Sequence, residues 1–112
     1  MADEKISLND FKKIQLKVGK ILEATPHPNA DKLIVLQDDL GQEKRQLVAG
    51  IKPWYKPEDL VGKCIAVVAN LQPATLRGVE SQGMLLAATD TATNNVKILV
   101  VDGEVSPGSV IS

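Results

Sequence analysis

Aromatic side chains are almost missing from this sequence: its 112 residues include one Phe, one Trp and one Tyr. Hydrophobic residues still make up 44%, so a core is available, and it must be built from Val, Ile, Leu and Ala. The same scarcity removes the usual platform on which the bases of a single strand stack. Cys64 is the only cysteine and His27 the only histidine. One cysteine excludes an internal disulfide and a multi-cysteine zinc site, and no metal or other cofactor is expected. No apolar run reaches membrane-spanning length, and no basic-then-apolar leader opens the chain. The expectation is a single soluble domain over residues 1–112, cytoplasmic, with no membrane partner. A strong excess of charge is absent as well, 13 Lys+Arg standing against 14 Asp+Glu. That speaks against a polyanion partner held by bulk field alone. The distribution is uneven, however: residues 1–77 carry twelve of the cations and ten of the acids, residues 78–112 one cation and four acids. A local basic face therefore has to come from the first two thirds of the chain.

What is present is a succession of short apolar runs. Met1 to Lys5 is polar and expected to fray. "SLND" (Ser7 to Asp10) has the hydroxyl-then-acid spacing of a capping box and predicts a short helix through Phe11 to Lys13. Ile14, Leu16 and Val18 alternate at strand period until the pattern slips at Gly19 and resumes at Ile21, which predicts a strand bent at the glycine. "TPHPNADKL" is a loop, Leu33 to Gln37 a strand, "DDLGQ" a turn and Arg45 to Ile51 the returning strand. "KPEDLVGK" places Pro in a first turn and Gly62 at the stop, a short helix. Cys64 to Ala69, Met84 to Ala88 and Val96 to Val101 complete the strands. Five strands with a helix between the third and fourth give an all-β OB-fold barrel over about 14–90, with a β-sandwich as the rival. A short N-terminal helix and additional C-terminal β structure flank the barrel.

Chemistry for catalysis is thin. His27 reads as a turn residue between prolines, Cys64 as an inert thiol inside an apolar strand, and Asp38 and Asp39 as a turn. No serine stands in a nucleophile elbow and no glycine-rich loop precedes a helix. Trp54 and Tyr55 lie beside the short helix, where they are expected to plug the barrel end. A binding module fits these residues better than an enzyme. The segment Asn70 to Ala88 stands out: a long polar loop between two apolar runs. Its Arg77 is the only cation between Lys63 and Lys97, suited to a phosphate contact, and its Ser81 and Gln82 are suited to phosphate or 2′-hydroxyl.

"HPNADKL", "VAGI", "YKPEDLVGK", "VANLQP" and "GVESQGMLLAA" together resemble the tRNA-binding domain appended to many methionyl-tRNA synthetases, which also occurs as a stand-alone tRNA-binding protein. The resemblance runs from about Asp10 to Ser112. It implies an OB-fold that binds tRNA by shape, raises tRNA affinity for a synthetase to which it is joined or docked, has no catalysis of its own, and pairs into a symmetric homodimer. The flanks 6–13 and 91–112 are the expected dimer segments. The implied tRNA-binding residues are Asn70, Arg77, Ser81, Gln82 and Met84 of the loop, with Lys17, Lys20 and Lys32 adding to a basic face; for Met84 a core position is the competing expectation. Ala74 and Thr75 stand where many members are basic, Lys17 where Arg is common and Gln15 where Asp is, which predicts few phosphate contacts. A dimerisation module of a synthetase with weak RNA affinity, and a secretion chaperone of the same fold, are the alternative functions.

Overall fold

The structure is a computed structural model and describes residues 4–112; the fraying expected of the first residues lies, for 1–3, outside it. In chain order the elements are α1 (Leu8–Phe11), β1 (Leu16–Pro26), β2 (Ile34–Asp39) and β3 (Lys44–Ala49). There follow α2 (Pro57–Leu60), β4 (Cys64–Val68), β5 (Ala74–Leu76) and β6 (Val79–Ser81). The last are β7 (Met84–Leu85), β8 (Ala87–Asp90), β9 (Asn95–Ile98) and β10 (Val110–Ile111).

One antiparallel sheet runs β3-β2-β1-β4-β7 and curls into a nearly closed five-stranded barrel, with α2 between the third and fourth strands. This is the OB-like arrangement that the strand order predicts, and the sandwich is excluded. Curling depends on β1, which is long enough to serve both halves. Leu16 to Lys20 pair with β4, while Lys20 to Pro26 pair with β2. The register against β2 slips between Ile21 and Glu23, so Leu22 is the bulged residue. The bend expected at Gly19 therefore lies three residues further on. Gly19 has another purpose: a Cβ there would come within 3.0 Å of Val67 Cγ2 and 3.3 Å of Leu40 Cδ1. It is a point of close packing inside the barrel.

The core is aliphatic, as the composition requires. Ile21, Ile34, Leu36, Leu47, Leu60, Ile65 and Val67 are all but completely buried. Each contributes about 1.5–3 kcal/mol of apolar burial. α2 exists to deliver one of them: Pro57 opens its first turn and Leu60 is its only buried residue. Tyr55 packs against the same cluster, and its hydroxyl accepts a hydrogen bond from Ile98 N (3.1 Å). Cys64, at the start of β4, is only partly buried rather than sealed in the strand.

Four further expectations are corrected. Asp38 and Asp39 belong to β2 and the turn follows them; Asp38 points inward and is fully buried. Alternation along a strand puts it on the inner face with Ile34 and Leu36, which outranks its turn propensity. The single strand expected at Met84 to Ala88 divides into β7, which pairs with β4, and β8, which leaves to form a hairpin with β9. The strand expected at Val96 to Val101 stops at Ile98, beyond which only an isolated bridge joins Val100 to Ile65. The loop Asn70 to Gln82 contains a hairpin of its own, β5–β6.

The flanks meet each other. Ser7 caps α1 as its sequence predicts, its Oγ accepting from Asp10 N (3.1 Å), yet α1 buries none of its residues. β10 pairs with the start of β1, Leu16 opposite Ile111 and Lys17 opposite Val110. Phe11, Ile14, Leu16, Val110 and Ile111 line one shallow groove there, and Val110 is 78% exposed.

Candidate nucleic-acid interface

The polar loop that stands out in the sequence is a two-residue hairpin. Leu76 pairs with Val79, leaving Arg77 (φ 53°) and Gly78 (φ 90°) as the turn. Two successive positive φ values make it a type I′ turn, whose twist suits antiparallel strands. Gly78 adopts this freely, whereas Arg77 is an uncommon occupant. The sequence pattern hides the hairpin because β5 is exposed along its whole length and shows no alternation.

Three sets of hydrogen bonds fasten this hairpin to the barrel. His27 is buried, and its Nδ1 accepts from Asn29 N (2.9 Å) while its Nε2 lies 2.9 Å from Leu76 O. An amide only donates and a carbonyl only accepts, so the ring is neutral with its proton on Nε2. One imidazole thus ties the 27–33 loop to the residue preceding Arg77. Second, Ser81 and Gln82 complete the barrel where β3 and β7 do not pair. Ser81 Oγ accepts from Val48 N (3.0 Å) and donates to Gly83 O (2.9 Å). Gln82 Oε1 accepts from Gln46 N (3.0 Å), and Gln82 N donates to Gln46 O (2.7 Å). Side chains here do what a strand ladder does elsewhere. Third, Gln37 donates to Gln46 Oε1 (2.9 Å) and Gln46 Nε2 to Glu80 O (2.7 Å). Arg45 adds a guanidinium that donates to Ala69 O and Gln82 O and pairs with Glu43.

Arg77 and Lys32 are exposed and line one groove, between the hairpin tip and residues 29–33, which they share with Asp31. Asn70 is exposed, but both ends of its amide are engaged: Oδ1 accepts from Gln15 N (2.8 Å) and Nδ2 donates to Lys13 O (2.6 Å). It fixes the loop to the entry of β1. Ser81 is buried and its hydroxyl has both a donor and an acceptor partner, so it has no hydrogen left for a phosphate. Gln82 is partly buried and commits its oxygen. Met84 is 46% exposed, which overturns the competing core expectation. Lys17 is partly buried and lines a separate groove with Gly41 and Pro107, and Lys20 is exposed on β1. Sequence reasoning missed His27, Arg45 and Gln46. For His27 no sequence signal exists, because both of its partners are backbone groups, the amide of Asn29 and the carbonyl of Leu76.

Asp38 is the outlier in the electrostatics. Neither carboxylate oxygen has a hydrogen-bond partner among the described residues, and burial pushes the group up from 3.8 to about 7. Arg45 stands opposite it in the β2–β3 register, but its guanidinium is spent on the hairpin and Glu43. Among the described residues no group of three or more His, Cys, Asp or Glu is placed to hold a metal ion, and no helix is long and apolar enough to cross a membrane.

A small barrel with a hairpin stitched over its open seam is the architecture of an OB-like binding module. Residues 16–110 match the family described as "Putative tRNA binding domain", and the chain belongs to that family. It is 56% identical over 107 residues to the methionine–tRNA ligase of Thermotoga maritima, covering 96% of this chain and 17% of that protein. The chain thus spans about a sixth of the length of such relatives. Among the solved structures it resembles, two show how far the likeness runs. A MetRS-related protein from Pyrococcus horikoshii superimposes with a TM-score of 0.92 at 38% identity, covering 98% of this chain and all of the other. The chaperone CsaA from Bacillus anthracis does so with a TM-score of 0.88 at 30% identity, covering 97% of this chain and all of the other.

Proposed function

We propose that this chain binds folded tRNA by shape and backbone contact, as a non-catalytic domain or separate subunit of a cytoplasmic methionyl-tRNA synthetase, and raises the affinity of that enzyme for tRNA. The observation that carries the reading is the family match over residues 16–110, joined to 56% identity with a stretch of a methionine–tRNA ligase. The geometry supports it by presenting Arg77 and Lys32 on one groove at an anchored hairpin tip. Gel-shift titration of a folded tRNA, the same tRNA melted, and single-stranded DNA tests it. The folded tRNA binds best, and its affinity falls with salt through counterion release with a slope of only a few phosphates. Equal binding of single-stranded DNA defeats the shape reading.

The same reading includes a two-fold homodimer. The exposed apolar residues Phe11, Ile14 and Val110 favour it, since they line one groove beside α1 and β10 without being covered. Light scattering at micromolar concentration checks it: the chain runs as a dimer, and Phe11→Asp with Val110→Asp makes it a folded monomer. A monomeric unsubstituted chain overturns it.

A further inference from the structure

The hairpin β5–β6 has a second side. Away from Arg77 and Lys32 it walls a groove of about 580 Å³, bounded also by the β3 edge, β7 and the β8–β9 hairpin. That volume lies within the ~300–1,000 Å³ usual for ligand clefts. Not one Lys, Arg, Asp or Glu lines it. Its lip carries Leu71, Leu76 and Met84, which are 47%, 37% and 46% exposed. Its far wall includes Trp54, whose Nε1 donates to Asn94 O (3.0 Å), so the indole is held at a fixed angle. Gln72 and Thr89 supply polar groups among the apolar ones. Leu76 and Arg77 are consecutive, so one step along the hairpin passes from the uncharged groove to the cationic one.

A nucleotide has that same division: a charged phosphate joined to an uncharged, flat-faced base. We propose that the groove is a slot for one unstacked nucleobase of the bound RNA, received against Trp54 and Met84 while the adjoining phosphate meets Arg77 and Lys32. The proposal rests on the RNA-binding reading and adds to it the feature recognised: an unpaired base beside the backbone contact. A fully paired stem offers the phosphate without the base and engages only half of the surface. A thioether is soft and polarisable enough to lie on either face of a purine or pyrimidine. The uncharged lining suits any of the four bases, so the slot reads the presence of an unpaired base and not its identity.

Trp54 is the only tryptophan, so its emission reports the groove directly. The probes are three RNA stems of one sequence: one with a single bulged nucleotide, one with an abasic residue at the bulge, and one fully paired. The bulged stem binds about tenfold tighter than the abasic one and alone quenches Trp54. Met84→Ala brings the bulged stem down to the affinity of the abasic one; because Met84 is half exposed, the variant folds, which its circular dichroism confirms. Equal binding of the three stems, or RNA binding without any change in Trp54 emission, overturns the slot while RNA binding itself stands. No binding of the stems or of folded tRNA overturns both. An uncharged apolar peptide that quenches Trp54 and displaces the bulged stem assigns the groove to polypeptide and overturns the slot as well.

Discussion

Two hairpins lie off the main sheet, β5–β6 and β8–β9, and each turns through a non-glycine residue in the left-handed region: Arg77 at φ 53° and Asn94 at φ 54°. Asparagine takes that conformation routinely, while a long side chain does so at a cost of about 1 kcal/mol. The moorings differ in the same direction. β8–β9 is held by aromatic tips, Trp54 Nε1 to Asn94 O and Ile98 N to the Tyr55 hydroxyl. β5–β6 is held by a buried imidazole, a buried hydroxyl and a glutamine amide. The hairpin with the unfavourable turn residue is the one fastened from three sides, and that turn residue is itself an exposed cation. Strain of this kind persists where surrounding structure over-determines it, and it clusters at functional sites.

The largest expected effect concerns the barrel wall on which both hairpins hang. Asp38 has a folded-state value of about 7 against 3.8, so the folded protein holds its proton the more tightly. The stability linked to it is complete below about pH 4 and is lost as pH rises through 7. The loss is about 4 kcal/mol. Asp38→Asn therefore stabilises the protein at pH 8, changes little at pH 4, and flattens the profile between; urea melts at both pH values check it. A variant that destabilises equally at both would show that the carboxylate has a partner in solution. It follows that hairpin variants are best compared near pH 4, where the wall has most margin.

Next comes the contrast between moorings. Ser81→Ala leaves Val48 N and Gly83 O buried without partners and costs about 3 kcal/mol. Tyr55→Phe deprives only Ile98 N and costs about 1 kcal/mol. Thermal melts that rank the two the other way would make β8–β9 the more firmly held hairpin. The smallest effect is the sharpest test. Arg77→Asn gives β5–β6 the turn residue of β8–β9. It gains about 0.5–1 kcal/mol of stability while making the log-affinity dependence of tRNA binding on log salt shallower by about one unit. Stability gained with binding unchanged would remove Arg77 from the interface.

Much of this architecture was legible in the residues. Alternation and the Pro-to-Gly frame of "KPEDLVGK" mark the barrel strands and α2, because the core imposes its period on whatever it buries. The capping hydroxyl of Ser7 was equally plain. What the residues hid is local. Asp38 looks like a turn because its propensity says so, and only the pairing of β2 with β3 through Asp39 shows it inside. The β5–β6 hairpin has no buried face to give it a period. Ser81 and Asn70 look free in the sequence, since partners at residues 48 and 15 become visible only when the barrel closes. The groove at Met84 and Trp54 was illegible for the same reason: its walls come from four separate parts of the chain.

The pairing of β10 with the first two residues of β1 also bears on the order of folding. β2 follows β1 closely in the chain and so meets it early, whereas Leu16 finds Ile111 only after nearly the whole length has been gathered. Closing so long a loop for so short a ladder makes this the last pairing to form and the first to open. In native-state hydrogen exchange the Val18 amide, which donates to Ser109 O, then exchanges through a local opening. The amide of Ile21, bonded to Lys63 O in the barrel, waits for global unfolding.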